Sequence, residues 1–187
     1  MAERETPDLG ALFSVLAEHR VAFVVTGSTA AMLHGLDLVP GDLDITPALD
    51  AANLERLARA LAAVRGRPDP DGPFGDWVTQ PDGERRWVQR EALPGEREAR
   101  RSWRPDPRNP ASFDELLQTR HGALDVVPEV SGTYTDLAPR AVVVEAFGHD
   151  IQVESIADQL ATLTVPRRSK DRDRVRALRA LQRVISS

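Results

Sequence analysis

Residues 7–64 change hydrophobic period from one short segment to the next, and that order narrows the fold more than any other feature of the chain. "PDLGALFSVLAEHR" (7–20) carries Leu9, Leu12, Phe13 and Leu16 at helical spacing, so it predicts an amphipathic helix. "VAFVV" (21–25) follows at once, a β-branched apolar run closed by Thr-Gly, and predicts a buried strand. Ser28 is a good N-cap for a helix over "TAAMLH", and Gly35 stands where a C′ glycine would end it. "DLDIT" (42–46) alternates polar and apolar like a half-buried strand. Asp50 then introduces a helix over "AANLERLARALAAV", with Leu54, Leu57, Leu61 and Val64 on one face. Helix–strand–helix–strand–helix points to an α/β-type core.

The chain changes character at 66–110, which holds eight of its fourteen prolines. "WVTQPDGERRWVQ" predicts a hairpin around Asp82-Gly83. This stretch is expected to be an insertion or flap. After it, "SFDELLQT" predicts a short helix, while 123–127, 140–147 and 150–155 predict strands, the last two joined by a tight turn in "FGHDI". Residues 155–187 predict two closing helices, the second with Val175, Leu178, Leu181 and Ile185 in one apolar stripe. The expectation is therefore a single α+β domain over 1–187: a mixed sheet flanked by helices, with an Arg/Pro-rich insertion and a C-terminal helical segment.

Charge is unevenly spread. The net charge of −5 argues against a protein wrapped in nucleic acid. Yet residues 84–108 carry eight arginines against five acids, and residues 167–183 carry eight Lys/Arg against Asp171 and Asp173. Two basic stretches in an acidic chain suit a local anion, such as a triphosphate or one nucleic-acid end. No apolar run approaches the roughly 20 residues of a membrane span, and the first ten residues are too polar for a signal peptide. There is no cysteine, so a reducing cytoplasm is the expected setting.

The chemistry is carried by carboxylates. In a strand, residues i and i+2 share a face, so Asp42 and Asp44 project together while Leu43 and Ile45 face the core. Side-by-side carboxylates repel unless a cation lies between them. Mg²⁺ prefers oxygen ligands and commonly binds through one or two carboxylates plus substrate phosphates. Asp125 in "GALDVV" offers a third on another apolar strand. Were the two strands adjacent, the trio would suffice for two ions about 3.5–4 Å apart. Gly27 would let a phosphate approach the backbone, and Ser28 opens a helix whose free N–H groups favour anions. Taken singly, each feature is ordinary: an alternating strand, a turn and cap, a strand-end acid.

"GS", thirteen residues, then "DLD" resembles the signature of the DNA polymerase β-type nucleotidyltransferase superfamily. "GSTAAMLHG…DLDI", "HGALDVV" and "RRSKDRDRVRAL" are similar to one branch of it, the small bacterial nucleotidyltransferases akin to abortive-infection toxins. The similarity spans roughly 10–64 and 118–183. The resemblance implies a nucleotidyltransferase sheet and Asp42, Asp44 and Asp125 as metal ligands, with Mg²⁺ (two ions) as cofactor. It implies Gly27 and Ser28 in a phosphate loop, and Lys170 as a contact to the nucleoside triphosphate (NTP) substrate, ATP among them, with Asp171 as its motif neighbour. A toxin-like member would have a cognate antitoxin as partner. The branch often has an Arg and a Thr/Ser before its Asp-x-Asp, where this chain has "LDLVPG".

The activity so implied is Mg²⁺-dependent transfer of a nucleoside monophosphate to an acceptor hydroxyl, with Asp125 the best-placed general base. A tRNA or other RNA end, a protein or a small molecule such as an antibiotic are the candidate acceptors. A catalytically degraded relative that binds a nucleotide or a partner protein is the alternative. Arg167, Lys170 and Arg174 fall one helical turn apart and could face a polyphosphate, though a solvated basic face explains the two arginines as well. His34 suits packing or capping at a helix end. Trp77, Trp87 and Trp103 could stack on a base or form a satellite core within the insertion.

Overall fold

The computed structural model describes residues 6–81, 85–130, 132–163 and 169–185, with all their side chains except those of Trp77, Arg85, Arg86, Trp87, Ser169, Lys170 and Ile185. A mixed seven-stranded sheet with helices against it forms the body, an α+β architecture. Helix α1 (Leu9–Glu18) is capped by Asp8, whose carboxylate accepts from the Ala11 amide, and buries the expected Leu9, Leu12, Phe13 and Leu16. Strand β1 (Phe23–Thr26) runs directly into α2 (Gly27–Leu33), followed by β2 (Leu43–Pro47) and α3 (Ala51–Ala63). Helix α3 buries Leu54, Leu57 and Leu61 beneath its Asp50 cap. Its buried Asn53 accepts from the Ala22 amide and donates to the Ala22 and Ala48 carbonyls, which ties α3 to the ends of β1 and β2.

The insertion contributes β3 (Arg67–Pro68), a separate hairpin of β4 (Phe74–Thr79) and β5 (Arg85–Arg90), and α4 (Glu96–Ser102). The turn at Asp82-Gly83 lies outside the described residues. The expected helix over "SFDELLQT" is a correction. Only a 3₁₀ turn, Pro110–Phe113, forms there, and Glu115–Thr119 is strand β6. Pairing decides it: β6 makes a five-residue antiparallel ladder with β7 (Gly122–Val126) and places Leu117 in the core, so tertiary context overrides local propensity. Helix α5 (Tyr134–Leu137) precedes β8 (Val142–Ala146) and β9 (His149–Val153). These two strands join through Phe147-Gly148, both at positive φ, the two-residue turn whose twist suits a hairpin. Helices α6 (Ile156–Thr162) and α7 (Ser169–Ile185) close the chain.

Strand order is β3-β6-β7-β2-β1-β9-β8. At its centre β1 and β2 are antiparallel, while β2–β7 and β1–β9 are parallel. One face presents Val25, Leu43, Ile45, Leu124, Val126, Ile151 and Val153 to α1 and α3 in a continuous core. The alternate residues of the same strands point to the other face. Leu178 of α7 and Leu137 of α5 are fully buried, and Val175 and Leu181 are half-buried beside Leu178. No helix among the described residues is long and apolar enough to cross a membrane.

Candidate functional site

Register settles where the carboxylates meet. β2 and β7 pair with Leu43 opposite Leu124 and Asp44 opposite Asp125, so the two acids stand on neighbouring strands at the same level. In-register neighbours share a face, with Cβ atoms about 4.5–5.5 Å apart. On the other side of β2, Thr26 of β1 is the partner of Asp44. Asp42 lies one residue before β2, and its carbonyl accepts a 2.9 Å hydrogen bond from the Thr29 hydroxyl of α2. Two segments distant in sequence thus bring Asp42, Asp44 and Asp125 to one place, at the mouth of the β1–α2 turn.

The electrostatics follow from that crowding. The Asp44 carboxyl is pushed up from 3.8 to about 8, first by burial and then by the negative charges of Asp42 and Asp125. A hydrogen bond from the Ser28 amide and the positive charge of Arg174 pull in the opposite direction and are outweighed. Arg174 therefore belongs to the site. A basic residue at helical spacing on a C-terminal helix resembles a solvated face, and only the docking of α7 through Leu178 brings this one near enough to act on Asp44. Two further acids, Glu154 after β9 and Asp171 in the first turn of α7, are also buried.

Gly27 and Ser28 serve these carboxylates in a way their sequence does not disclose. Gly27 has φ +65, and a Cβ built there would stand 2.1 Å from Asp44 Oδ2. The close approach that glycine permits is made by Asp44 itself. Likewise the Ser28 amide is engaged by Asp44. Helix α2 starts at Gly27 with Thr26 as its N-cap, a correction of two residues to the expected Ser28 cap, and the Thr26 side chain makes no capping bond. At the far end Gly35 is the expected C′ residue: its amide donates to Met32 and that of Leu36 to Ala31. His34 is the C-cap, and its Nε2 donates to the Glu154 carbonyl at 2.8 Å, a structural role.

The donor set is of the right chemistry for a hard cation: carboxylate oxygens only, grouped where burial and mutual repulsion raise the Asp44 carboxyl. Among the described residues no group of three or more Asp, Glu, His or Cys side chains is arranged to hold a metal ion as it stands. Lys170 lies in the first turn of α7, but its side chain, like all of Arg167, is outside the described residues.

Five of the described arginines of the insertion find partners within it. Arg90 bridges Asp76 and Glu96, and the pair it forms holds the Glu96 carboxyl down at about 2. Arg97 pairs with Asp71, Arg101 with Glu98 and Arg108 with Asp106. Arg100 stacks 3.9 Å from the centre of the Phe74 ring and donates to the Asp69 and Pro73 carbonyls. Trp103 packs against the main core rather than presenting a stacking platform. The side chains of Trp77 and Trp87 lie outside the described residues.

No protein-family model matches the chain, and no curated protein matches it.

Proposed function

We propose that the protein is a nucleotidyltransferase that moves a nucleoside monophosphate from a Mg²⁺-bound NTP to an acceptor hydroxyl and releases pyrophosphate. The observation that carries this reading is the register of Asp44 with Asp125, which creates a charge excess at Asp44 that a divalent cation would relieve. Asp42, Asp44 and Asp125 would hold the cation. Mg²⁺ would neutralise charge developing on the transferred phosphoryl group and ease deprotonation of the acceptor. Asp125, beside Asp44 on the neighbouring strand, would accept the proton of the acceptor hydroxyl. Arg174 faces the same carboxylates and would meet the polyphosphate from the α7 side, in a process that is mostly positioning and charge neutralisation. The internal pairing of the insertion's arginines gives an RNA end less support as acceptor than their number in the sequence does.

The test is incorporation of labelled nucleotide from each NTP into RNA, protein or small-molecule acceptors, with pyrophosphate release followed in parallel. Incorporation by the native chain and its loss in Asp42→Ala and Asp125→Ala are expected. A second reading, a relative that binds nucleotide without turning it over, is favoured by the absence among the described residues of a carboxylate group already arranged for an ion. Calorimetric titration with NTPs, with and without Mg²⁺, separates the two: binding with no pyrophosphate release would favour the second.

A further inference from the structure

Thr26 is 1% exposed, and its hydroxyl finds no hydrogen-bond partner among the described residues. An unsatisfied buried hydroxyl carries a desolvation cost that a valine of the same shape would avoid. Thr26 is also the N-cap residue of α2, where a threonine hydroxyl ordinarily accepts from the helix amides, and here it does not. Its position explains what the hydroxyl is near. Thr26 pairs directly with Asp44 across β1–β2, on the face that Asp44 shares with Asp125, and the Asp44 carboxyl lies over the adjacent Gly27.

We propose that Thr26 is a positioning residue for Asp44. With a cation bound, the Asp44 carboxylate has acceptor capacity that the Ser28 amide alone does not fill. The Thr26 hydroxyl, with a proton to donate and no other partner among the described residues, supplies the second hydrogen bond and fixes the plane of the carboxylate toward the ion. Groups that orient a metal-binding carboxylate from behind typically change metal affinity by about 10- to 100-fold when removed. The inference rests on the proposed cation site and deepens it.

The experiment is a Mn²⁺ titration of the full-length protein by calorimetry, with urea unfolding measured on the same samples. Thr26→Val, Thr26→Ser and Asp44→Asn are compared with the native chain. Thr26→Val is expected to bind Mn²⁺ about 10- to 100-fold more weakly while unfolding at the same or a higher urea concentration, and Thr26→Ser is expected to bind like the native chain. Native-like Mn²⁺ affinity in Thr26→Val overturns the inference, while a loss confined to Asp44→Asn leaves the cation site standing. A native chain that binds Mn²⁺ no better than Asp44→Asn overturns both. Should Thr26→Val fail to fold, Thr26→Ala removes the same hydroxyl without branching and is judged by the same two outcomes.

Discussion

Replacing Asp44 by Asn should stabilise the metal-free protein, and by an amount that depends on pH. Raising the carboxyl from 3.8 to about 8 disfavours its ionised form by at most about 5–6 kcal/mol, at about 1.4 kcal/mol per tenfold change. Asp44 is half-buried, so water entry and local relaxation bring the expected penalty to about 2–3 kcal/mol. The sign follows from proton binding. Between the unfolded value of 3.8 and the folded value of about 8, the native state holds a proton that the unfolded chain has lost, so stability falls as pH rises through that window. Among the described residues, the groups acting on Asp44 are Asp42 and Asp125, which sharpen the effect, and the Ser28 amide and Arg174, which oppose it. Urea unfolding in EDTA from pH 5 to pH 9, followed by circular dichroism, should show Asp44→Asn gaining on the native chain and levelling off above pH 8. Mn²⁺ at pH 8 should recover the difference for the native chain and leave the variant unchanged. Parallel pH profiles for the two proteins, or a variant that weakens as pH rises, would refute the reasoning.

Gly27→Ala places a Cβ 2.1 Å from Asp44 Oδ2 at a φ of +65, so urea unfolding should record a loss of about 1–3 kcal/mol together with weaker Mn²⁺ binding. Leu178→Ala opens a cavity under α7, where Leu178 is fully buried, and should cost about 2–5 kcal/mol. Loosening α7 also withdraws Arg174, so a carbon-13 titration of Asp44 should show its carboxyl rising further. Arg90→Ala unties β4–β5 from α4 by removing the bridge between Asp76 and Glu96. Limited proteolysis should then cut within 74–90 faster, with the main thermal transition unmoved.

Much of this arrangement is legible in the chain. The 3.6-residue stripes of α1 and α3, the Asp50 cap, the Gly35 stop and the Phe147-Gly148 turn depend on local physics, and each element stands where its residues place it. "SFDELLQT" misleads because a helical period and a β6–β7 ladder compete for the same residues, and the ladder is supplied from outside the segment. At the site, the nearness of Asp42 to Asp44 comes from their spacing in the chain, although Asp42 stands just before β2, whereas the match of Asp44 to Asp125 depends on strand order. Arg174 and Thr26 are harder still to see. In sequence one looks like a solvated cation and the other only closes the apolar run 21–25, and only the docking of α7 and the β1–β2 register relate them to Asp44. Arg90 and Arg97 look available in sequence because two of the acids that hold them, Asp76 and Asp71, lie 14 and 26 residues away.

The most direct test is a crystal of the protein soaked with Mn²⁺ and a non-hydrolysable NTP, examined by anomalous scattering. The account predicts a Mn²⁺ peak within about 2.2 Å of oxygens from both Asp44 and Asp125, with triphosphate oxygens completing the shell. A peak elsewhere, or nucleotide bound with no metal between residues 44 and 125, would contradict it.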